Sequence, residues 1–382
     1  MAVSSGGDLL AGLTLGAITG TLEKLPGLMV LVPAAIGMRG NIFGALGSRL
    51  GTAIHAGTFR LSRRANTVVG QNVLASLTLS LSISLALAVL AKAVAVGFGL
   101  NNTISILDFA VISVVGGAIS SAFVLGITLL VAAASVRREW DLDNVAAPLV
   151  TAAGDVVTLP SLFLATFLLD VPVLSPLLGA ATAVLAVGTL IAAFRARLPI
   201  LTRILRESIP VLCVAGTIDV VAGLTIEKRL ESFLVFPGLL VLVPPFLEDT
   251  GALGGILSSR LSSKLHLGLL APTTVPQRAA RRDFLLIFMF AVPVFLLVAT
   301  SADVAATIVG LATPGIGRMI AVSLLGGLLA TCFAVVIAYY GAVAAFRLGL
   351  DPDNHGIPLI TSSMDLVGAF ALILALVVVG VS

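Results

Sequence analysis

Charged side chains are scarce in this chain. Asp, Glu, Lys and Arg make up 11% of its 382 residues, whereas 58% are hydrophobic. A soluble domain carries about 25% charged residues, so this composition excludes a soluble globule. Long polar stretches are also absent, which leaves no room for a nucleotide-binding or regulatory soluble domain. Since neither a GxxxxGKS nor a GxxxxGKT loop occurs, we do not expect an ATP-driven pump.

Cysteine is equally sparse, with two in the chain. Cys213 and Cys332 both lie inside apolar runs, so neither a disulfide nor a metal-binding cysteine cluster is expected. Residues 1–8 lack the basic segment and the cleavage site of a signal peptide, and none is expected. The net charge of +3 comes from cations in short loops. Such loops set the orientation of a membrane protein, and we expect no nucleic acid as a partner.

What the chain does contain is a series of long apolar runs. Runs of about 18 or more apolar residues indicate membrane-spanning helices. The stretch 76–85 alternates polar and apolar residues like a strand, but it lies in a longer run, and an open strand leaves its backbone unpaired in lipid. We therefore predict an all-α integral membrane protein with about eleven spans, near residues 8–24, 27–57, 68–98, 106–136, 146–169, 173–194, 208–226, 236–268, 284–311, 317–346 and 356–380.

The chain is an internal duplication. PGLMVLVP at 26–33 returns as PGLLVLVP at 237–244, an offset of 211 residues (237 − 26). Further matches follow in the same order at an offset of 210 (365 − 155). They pair Gly116-Gly117 with Gly326-Gly327, Asp143-Asn144 with Asp353-Asn354, PLVT at 148–151 with PLIT at 358–361, and Asp155 with Asp365. Two like halves in a bilayer place a working site on the axis between them.

The duplication predicts three segments along the chain. These are a first five-helix transmembrane repeat at 1–170, a linking transmembrane helix with a cytoplasmic loop at 171–206, and a second five-helix transmembrane repeat at 207–382. Five spans per repeat would invert the second repeat, but the linking helix restores its direction, so we expect parallel repeats. The arginine clusters then fall on one side, which the positive-inside rule assigns to the cytoplasm. We expect a multi-pass protein of the cell membrane with its N-terminus cytoplasmic and its C-terminus extracellular.

Asp155 and Asp365 are the leading candidates for an ion site. Carboxylates inside a membrane cost about 2.5–3.5 kcal/mol each, so they are functional candidates by default. Each lies seven residues after a proline near the start of its span, which is about 10 Å into the membrane at ~1.5 Å per residue. Two facing carboxylates repel and take up a proton, unless a divalent cation such as Mg²⁺ lies between them. The alternative is a pair of capped or ion-paired structural aspartates.

A second acidic pair, Glu248 and Asp249, follows two prolines in an apolar run. Proline and glycine interrupt helical hydrogen bonding and free carbonyl groups that can line an ion path. In one interpretation these acids add negative charge to the path, while Asn41 of the first half offers a carbonyl oxygen. In the other interpretation they pair with Arg39. Both can hold at once.

Several further polar residues stand out in the apolar runs. Asp219 lies in mid-span, and we expect no acidic counterpart for it in the first half. It is a candidate coupling-ion or proton site, or a hydrogen-bonded structural aspartate. The Asp-Asn pairs at 143–144 and 353–354 precede helices, which favours capping over ion attraction at the cytoplasmic mouth. Arg49 and Arg260 are expected to snorkel to the interface, and the Gly-Gly pairs to allow close helix packing.

Two motifs carry a family resemblance. VLVPAAIGMRGN at 30–41, continuing to SRL at 48–50, resembles the signature of MgtE-type magnesium transporters. The doubled form with a linking helix is similar to the solute-carrier branch of that family, found in eukaryotes and in some archaea. PLVTAAGD at 148–155 and PLITSSMD at 358–365 resemble the family's fifth helix, whose aspartate holds the magnesium ion. The resemblance covers both five-helix units.

The resemblance implies a pore at the interface of the two repeats, lined by the second and fifth helices of each. One duplicated chain would then supply a complete pore. The implied metal ligands are first of all Asp155 and Asp365, joined as candidates by Glu248, Asp249, Asn41, Asp219, Thr151 and Thr361. The chain departs from the family in EDTGA at 248–252, where a Gly-Asn element is usual. It also lacks a cytosolic magnesium-sensing region, which leaves room for a carrier in place of a gated channel.

The sequence therefore predicts a divalent cation transporter with Mg²⁺ as the transported ion, no cofactor and no enzymatic activity. A carrier for another divalent cation, or a Mg²⁺ exchanger coupled to Na⁺ or H⁺, is the alternative, since efflux against the membrane potential needs coupling. An intramembrane aspartyl protease also uses two transmembrane aspartates, but its Gly-x-Gly-Asp element is absent at Asp155 and at Asp365. A transporter of another substrate on the same fold is the third possibility.

Overall fold

Helices make up almost all of the described molecule. The computed structural model describes residues 2–62, 64–100, 102–138, 142–170, 174–349 and 357–381, and no strand occurs in these ranges. The first half contains α1 Ala2–Ala17, α2 Thr19–Lys24, α3 Leu28–His55, α4 Val68–Gly97, α5 Ile106–Ala110, α6 Gly116–Arg138 and α7 Leu142–Thr166. The rest of the chain contains α8 Leu174–Arg195, α9 Pro199–Glu227, α10 Leu230–Val235, α11 Gly238–His266, α12 Arg278–Val309, α13 Ile316–Leu348 and α14 Ile357–Val379. A π-helical segment, Val111–Val115, joins α5 to α6, and a 3-10 turn, Phe167–Asp170, follows α7.

Ten helical segments of the described chain are long and apolar enough to cross a membrane, counting α5, the π-helical segment and α6 as one. Each lies where an apolar run predicts a span, which confirms the all-α membrane fold. The run near 8–24 differs, because the chain turns at Ile18 and divides into α1 and α2. These helices have 16 and 6 residues, whereas crossing a hydrocarbon core of about 30 Å takes about 20 residues.

The alternating stretch 76–85 lies inside α4, so its interpretation as helix is confirmed. Ser76, Ser80 and Ser84 follow one another at intervals of four, and they therefore share one face of the helix. All three are buried, at no more than 1% exposure. The alternation thus marks a polar interior face of a helix and not the two faces of a strand.

The chain divides into two compact units. The first comprises Met1–Ala11 and Thr21–Val220, and the second comprises Gly12–Gly20 and Val221–Ser382. In the first unit α3 packs against α4, α6 and α7, and α8 packs against α4. In the second unit α11 packs against α12, α13 and α14. Each unit therefore surrounds one central helix with corresponding neighbours, as the duplication predicts.

Helix α9 begins at Pro199, earlier than the span predicted near 208–226. Proline suits the first position of a helix, because its missing N–H would have no partner there. Gln71 of α4 accepts hydrogen bonds through Oε1 from the backbone N–H groups of Ile200 (3.0 Å) and Leu201 (3.2 Å). Residues 199–206, predicted as part of a cytoplasmic loop, are therefore helical and belong to the first unit.

The repeated glycine pairs bring helices close together in both units. A Cβ on Gly116 of α6 would lie 2.9 Å from the backbone of α7. One on Gly326 of α13 would lie 3.2 Å from the backbone of α14. A Cβ on Gly117 or on Gly327 would collide with a side chain packed against the same helix. The interpretation of these pairs as sites of close packing is confirmed.

Candidate functional site

The first unit places Asp155 on α7, the helix that packs against α3. Asp155 is 2% exposed, and Thr151 lies one turn earlier on the same face. A Cβ on Gly40 of α3 would lie 3.8 Å from Cγ2 of Thr151. Since Asn41 follows Gly40 directly, the Gly-Asn element of α3 runs beside the threonine–aspartate face of α7.

The second unit repeats this arrangement with α11 and α14. A Cβ on Gly251 would lie 3.7 Å from Oδ1 of Asp365 and 3.9 Å from Cβ of Thr361. Gly251 follows Gly40 by the 211 residues that separate the two PGL motifs. In each unit, then, a glycine of the central helix lies beside a threonine that is one turn from an aspartate.

Glu248 and Asp249 lie on α11, one turn after the two prolines. Asp249 is 5% exposed, and Glu248 is half-buried. The helix continues through both prolines without a break, from Gly238 to His266. The second unit therefore carries three of the predicted acids, two on α11 and Asp365 on the adjacent α14.

The prolines of α11 free a carbonyl group that α1 covers. A proline has no N–H to donate, so the carbonyl four residues earlier loses its helical hydrogen bond. For Pro245 that carbonyl belongs to Val241, and the backbone of Gly12 in α1 packs directly against it. A side chain at Gly12 would collide with this oxygen, which explains a glycine at that position. The carbonyl group of Val241 thus lies at a close contact between α1 and α11.

The expectation that Asp219 has no acidic counterpart is wrong. Asp8 precedes it by 211 residues, and DLLAGLT at 8–14 matches DVVAGLT at 219–225. Asp8 is 1% exposed and Asp219 is 0% exposed. A comparison of the two halves at the fixed offset is enough to find this pair. The first helix of each repeat, α1 and α9, therefore carries one buried carboxylate at the same position.

Both of these aspartates lie next to helices of the first unit. A Cβ on Gly7 would lie 3.2 Å from Cα of Ala152 on α7, so α1 meets α7 one turn before Asp155. A Cβ on Gly216, three residues before Asp219, would meet the side chains of Leu87 on α4 and Met38 on α3. The structure thus brings Asp8 to the helix that carries Asp155.

Arg49 and Arg260, expected to extend to the membrane interface, each bond a polar side chain of the following helix. Nε of Arg49 donates to Oδ1 of Asn72 at 2.9 Å. At the equivalent place in the second unit, Nη2 of Arg260 donates to Oδ1 of Asp283 at 2.9 Å, and Lys264 forms a second ion pair with the same carboxylate. Asn72 and Asp283 are also 211 residues apart. In both units this contact ties the end of the central helix to the start of the next helix.

Some predicted residues lie outside what the structure describes. Asp353 and Asn354 fall in the undescribed segment before α14, and the side chains of Asp143 and Asn144 are likewise not described. Among the described residues, no group of three or more His, Cys, Asp and Glu side chains gathers to hold a metal ion. Mg²⁺ keeps several waters and is usually bound through only one or two carboxylates.

Comparison with known proteins gives a family match over both repeats. The MgtE family, described as "Divalent cation transporter", matches residues 32–165 and 243–375. The chain is 27% identical to solute carrier family 41 member 3 of Rattus norvegicus, over 96% of this chain and 84% of that protein. It is 27% identical to the Mus musculus member 3, over 91% and 74%, and 26% identical to member 2 of Homo sapiens, over 97% and 67%. No solved structure matches the chain.

Proposed function

Because the chain belongs to the MgtE family of divalent cation transporters, we propose that it carries Mg²⁺ across the bilayer on a path that includes Asp155 and Asp365. Its apolar helices and its family make it a multi-pass membrane transporter and not an enzyme. The alternative of an intramembrane aspartyl protease is therefore excluded. The relatives are named as solute carriers, which agrees with transport.

One observation carries the assignment of the site. In each unit a glycine of the central helix faces a threonine that lies one turn from an aspartate. The two copies of this arrangement fall within the two matched ranges. An arrangement retained in both repeats, with carboxylates in membrane helices that disfavour charge, supports a shared role in binding the cation.

The proposed chemistry is partial dehydration of the ion between two carboxylates. Mg²⁺ takes oxygen ligands and gives up its waters reluctantly, so it would pass with part of its hydration shell. Asp155 and Asp365 are the proposed principal ligands, and the hydroxyls of Thr151 and Thr361 and the amide oxygen of Asn41 complete the set. Glu248 and Asp249 add negative charge that attracts the cation along the path.

The membrane potential sets the direction of passive flow. Two charges that cross ~100 mV gain about 4.6 kcal/mol at ~2.3 kcal/mol per charge, so an uncoupled path drives Mg²⁺ inward.

The arginine clusters support an N-terminus in the cytoplasm and a C-terminus outside. We keep residues 1–170 and 207–382 as the two repeats, joined through 171–206, and propose that one chain supplies the whole path.

Exchange with a coupling ion is the second candidate function, and the buried Asp8–Asp219 pair favours it. These carboxylates are equivalent in the two repeats, and both are almost fully buried. Neither lies on the helices that carry Asp155 and Asp365. Na⁺ or H⁺ is the proposed coupling ion, since a carboxylate binds either one. This pair would give the transporter a site for the second ion of an exchange.

Flux in liposomes tests the proposal. The purified protein is reconstituted, and Mg²⁺ uptake is followed with an internal magnesium-sensitive dye in wild type, Asp155→Asn and Asp365→Asn. We expect each single substitution to lower the flux at least about tenfold, because each removes one full charge from a site for a divalent ion. Asp303→Asn is the matched control: it removes a buried carboxylate of α12 that lies outside the proposed site.

Two outcomes would contradict this proposal. Wild-type flux in both Asp155→Asn and Asp365→Asn would remove these residues from the path. An equal loss in Asp303→Asn would show that any buried charge change disrupts the protein.

Repeating the assay with Na⁺ or pH gradients, and with Asp8→Asn and Asp219→Asn, tests whether Mg²⁺ is exchanged for Na⁺ or H⁺. A panel of Mn²⁺, Co²⁺ and Zn²⁺ measures selectivity.

A further inference from the structure

Arg39 is a fully buried cation in the interior of the first unit. It precedes the Gly40-Asn41 element on α3 and is 1% exposed. Its guanidinium reaches between two neighbouring helices, where Nη2 donates to Oγ of Ser84 on α4 (2.9 Å) and Nε donates to Oγ of Ser120 on α6 (3.2 Å). Gly117 makes room for it, since a Cβ there would collide with Nη2.

The charge of Arg39 is not neutralised within its unit. Both hydrogen bonds go to uncharged hydroxyls, and no described carboxylate of the first unit forms an ion pair with it. Nη1 is buried, and the described residues offer it no hydrogen-bond partner. Charged side chains inside a membrane are costly and mark functional sites by default, and a buried charge without a counter-charge is costlier still. A role for the charge would account for its retention.

The second repeat shows that the fold does not require this cation. The hydroxyl of Ser113 donates to the backbone oxygen of Ser84 (2.6 Å), and the hydroxyl of Ser323 donates to that of Phe295 (2.8 Å). These equivalent bonds align Ser84 with Phe295. Thr250 stands where the first repeat has Arg39, at the 211-residue offset.

An apolar filling takes the place of the guanidinium in that repeat. The ring of Phe295 packs directly against Gly327, the counterpart of Gly117. Ala330 stands at the position of Ser120, at the 210-residue offset. Phe295 and Ala330 are both 0% exposed. An aromatic ring thus fills the second repeat's space as well as the cation fills the first's, so packing alone does not explain Arg39.

The backbone of Arg39 lies against the helix that carries the proposed ligand. A Cβ on Gly154 of α7 would lie 3.5 Å from the Cβ of Arg39 and 4.0 Å from the backbone nitrogen of Gly40. Gly154 directly precedes Asp155. The backbone of Arg39 therefore lies beside the residue that precedes Asp155, and its guanidinium extends from there to α4 and α6. Both groups lie in the interior of the first unit, where charges interact more strongly than in water.

We propose that Arg39 sets the affinity of the transport site: its fixed positive charge repels the divalent cation and prevents Asp155 from holding it too tightly. This inference rests on the proposed function of Asp155. Conduction needs binding that is weak enough for the ion to leave as well as strong enough for it to enter. The proposed path contains four carboxylates, and the positive charge of Arg39 offsets part of their attraction for Mg²⁺, so it speeds release of the ion at the expense of affinity.

Direct Mg²⁺ binding to the purified protein tests this role. The dissociation constant is measured by titration calorimetry for wild type, Arg39→Gln and Arg39→Lys, together with the half-saturating concentration and maximal rate of flux. Removing the charge in Arg39→Gln should tighten binding by about tenfold or more and lower the maximal rate. Arg39→Lys keeps the charge and should bind like wild type. Ser120→Ala removes a hydrogen bond, keeps the charge and should also bind like wild type.

Tighter binding separates this role from a structural one, because a damaged core weakens binding. Unchanged or weaker binding in a folded Arg39→Gln protein would overturn the inference. If that variant aggregates, the pair Arg39→Thr with Ser84→Phe copies the second repeat's filling and is held to the same expectation. Asp155→Asn separates the two proposals. If this variant retains Mg²⁺ binding, the proposed function fails. If it loses Mg²⁺ binding but Arg39→Gln does not bind Mg²⁺ more tightly than wild type, the role of Arg39 alone is refuted.

Discussion

Gly116→Ala should push α6 away from α7, the helix that carries Asp155. The new Cβ would lie 2.9 Å from Cα and Cδ2 of Leu162 and 3.0 Å from the backbone oxygen of Ser161. Carbon atoms in contact normally lie about 3.5–4.0 Å apart, so the helices must separate by roughly 0.6–1 Å. Since two of these three contacts are with backbone atoms, a rotamer change does not relieve them.

The magnitude follows from two opposing effects. Overpacking of a close interface costs about 1–3 kcal/mol, whereas alanine in place of glycine in a helix interior contributes about 0.8–1.0 kcal/mol. Gly126→Ala on the same helix is the matched control, because no atom lies within 4 Å of its Cβ. It gains the helix preference without the clash. Gly116→Ala should therefore have a free energy of unfolding about 1–3 kcal/mol lower than Gly126→Ala.

Reversible unfolding in mixed detergent micelles, followed by circular dichroism, measures this difference. Flux is measured after each variant is reconstituted in liposomes, and we expect it to fall in Gly116→Ala because α7 shifts relative to α3. Equal stability of the two variants would refute the packing argument. It would show that α6 and α7 separate without a cost, and that the glycine pair has another purpose.

Two further predictions concern the second unit. Asp283→Asn should lower the free energy of unfolding by about 1.5–3 kcal/mol, since hydrogen bonds to a charged group contribute about that much. The carboxylate of Asp283 is 1% exposed and forms ion pairs with Arg260 and Lys264. Asp303→Asn on the same helix forms no ion pair in the described chain and should cost less in the same unfolding assay; equal losses would contradict the claim. Gly12→Ala, whose Cβ would collide with a backbone oxygen of α11, should destabilise the protein by about 1–3 kcal/mol relative to Gly6→Ala, which meets no atom within 4 Å. Indistinguishable melting temperatures would show that α1 is free to move away.

The positions of the spans could be predicted from the sequence because hydropathy is a local property. All ten apolar runs after the first, the linking run among them, appear as helices near their predicted positions. The first run is also helical, but the chain turns at Ile18 and divides the run into α1 and α2, and residue type alone does not show where such a turn falls. The start of α9 was missed for a similar reason: its first backbone N–H groups donate hydrogen bonds to Oε1 of Gln71, which is 129 residues away from Ile200.

Of the candidate site, only the residues that recur in both halves could be predicted from the sequence. Asp155 and Asp365 stand out because their positions repeat, and Asp8 was overlooked although it repeats at the same offset as the first motif. The surroundings of Arg39 could not be predicted, because the direction in which a helical side chain points has meaning only once its neighbours are known. The partners of Arg260 on α12 were missed for the same reason.

Mn²⁺ titration followed by electron paramagnetic resonance tests the central claim most directly, with Mn²⁺ as the probe for the transported ion. If one carboxylate from each repeat holds the same ion, wild type binds a single high-affinity Mn²⁺, and Asp155→Asn and Asp365→Asn each abolish that site. Magnesium should displace the bound Mn²⁺ in competition. A high-affinity Mn²⁺ that survives unchanged in either single variant would contradict the claim of a shared site.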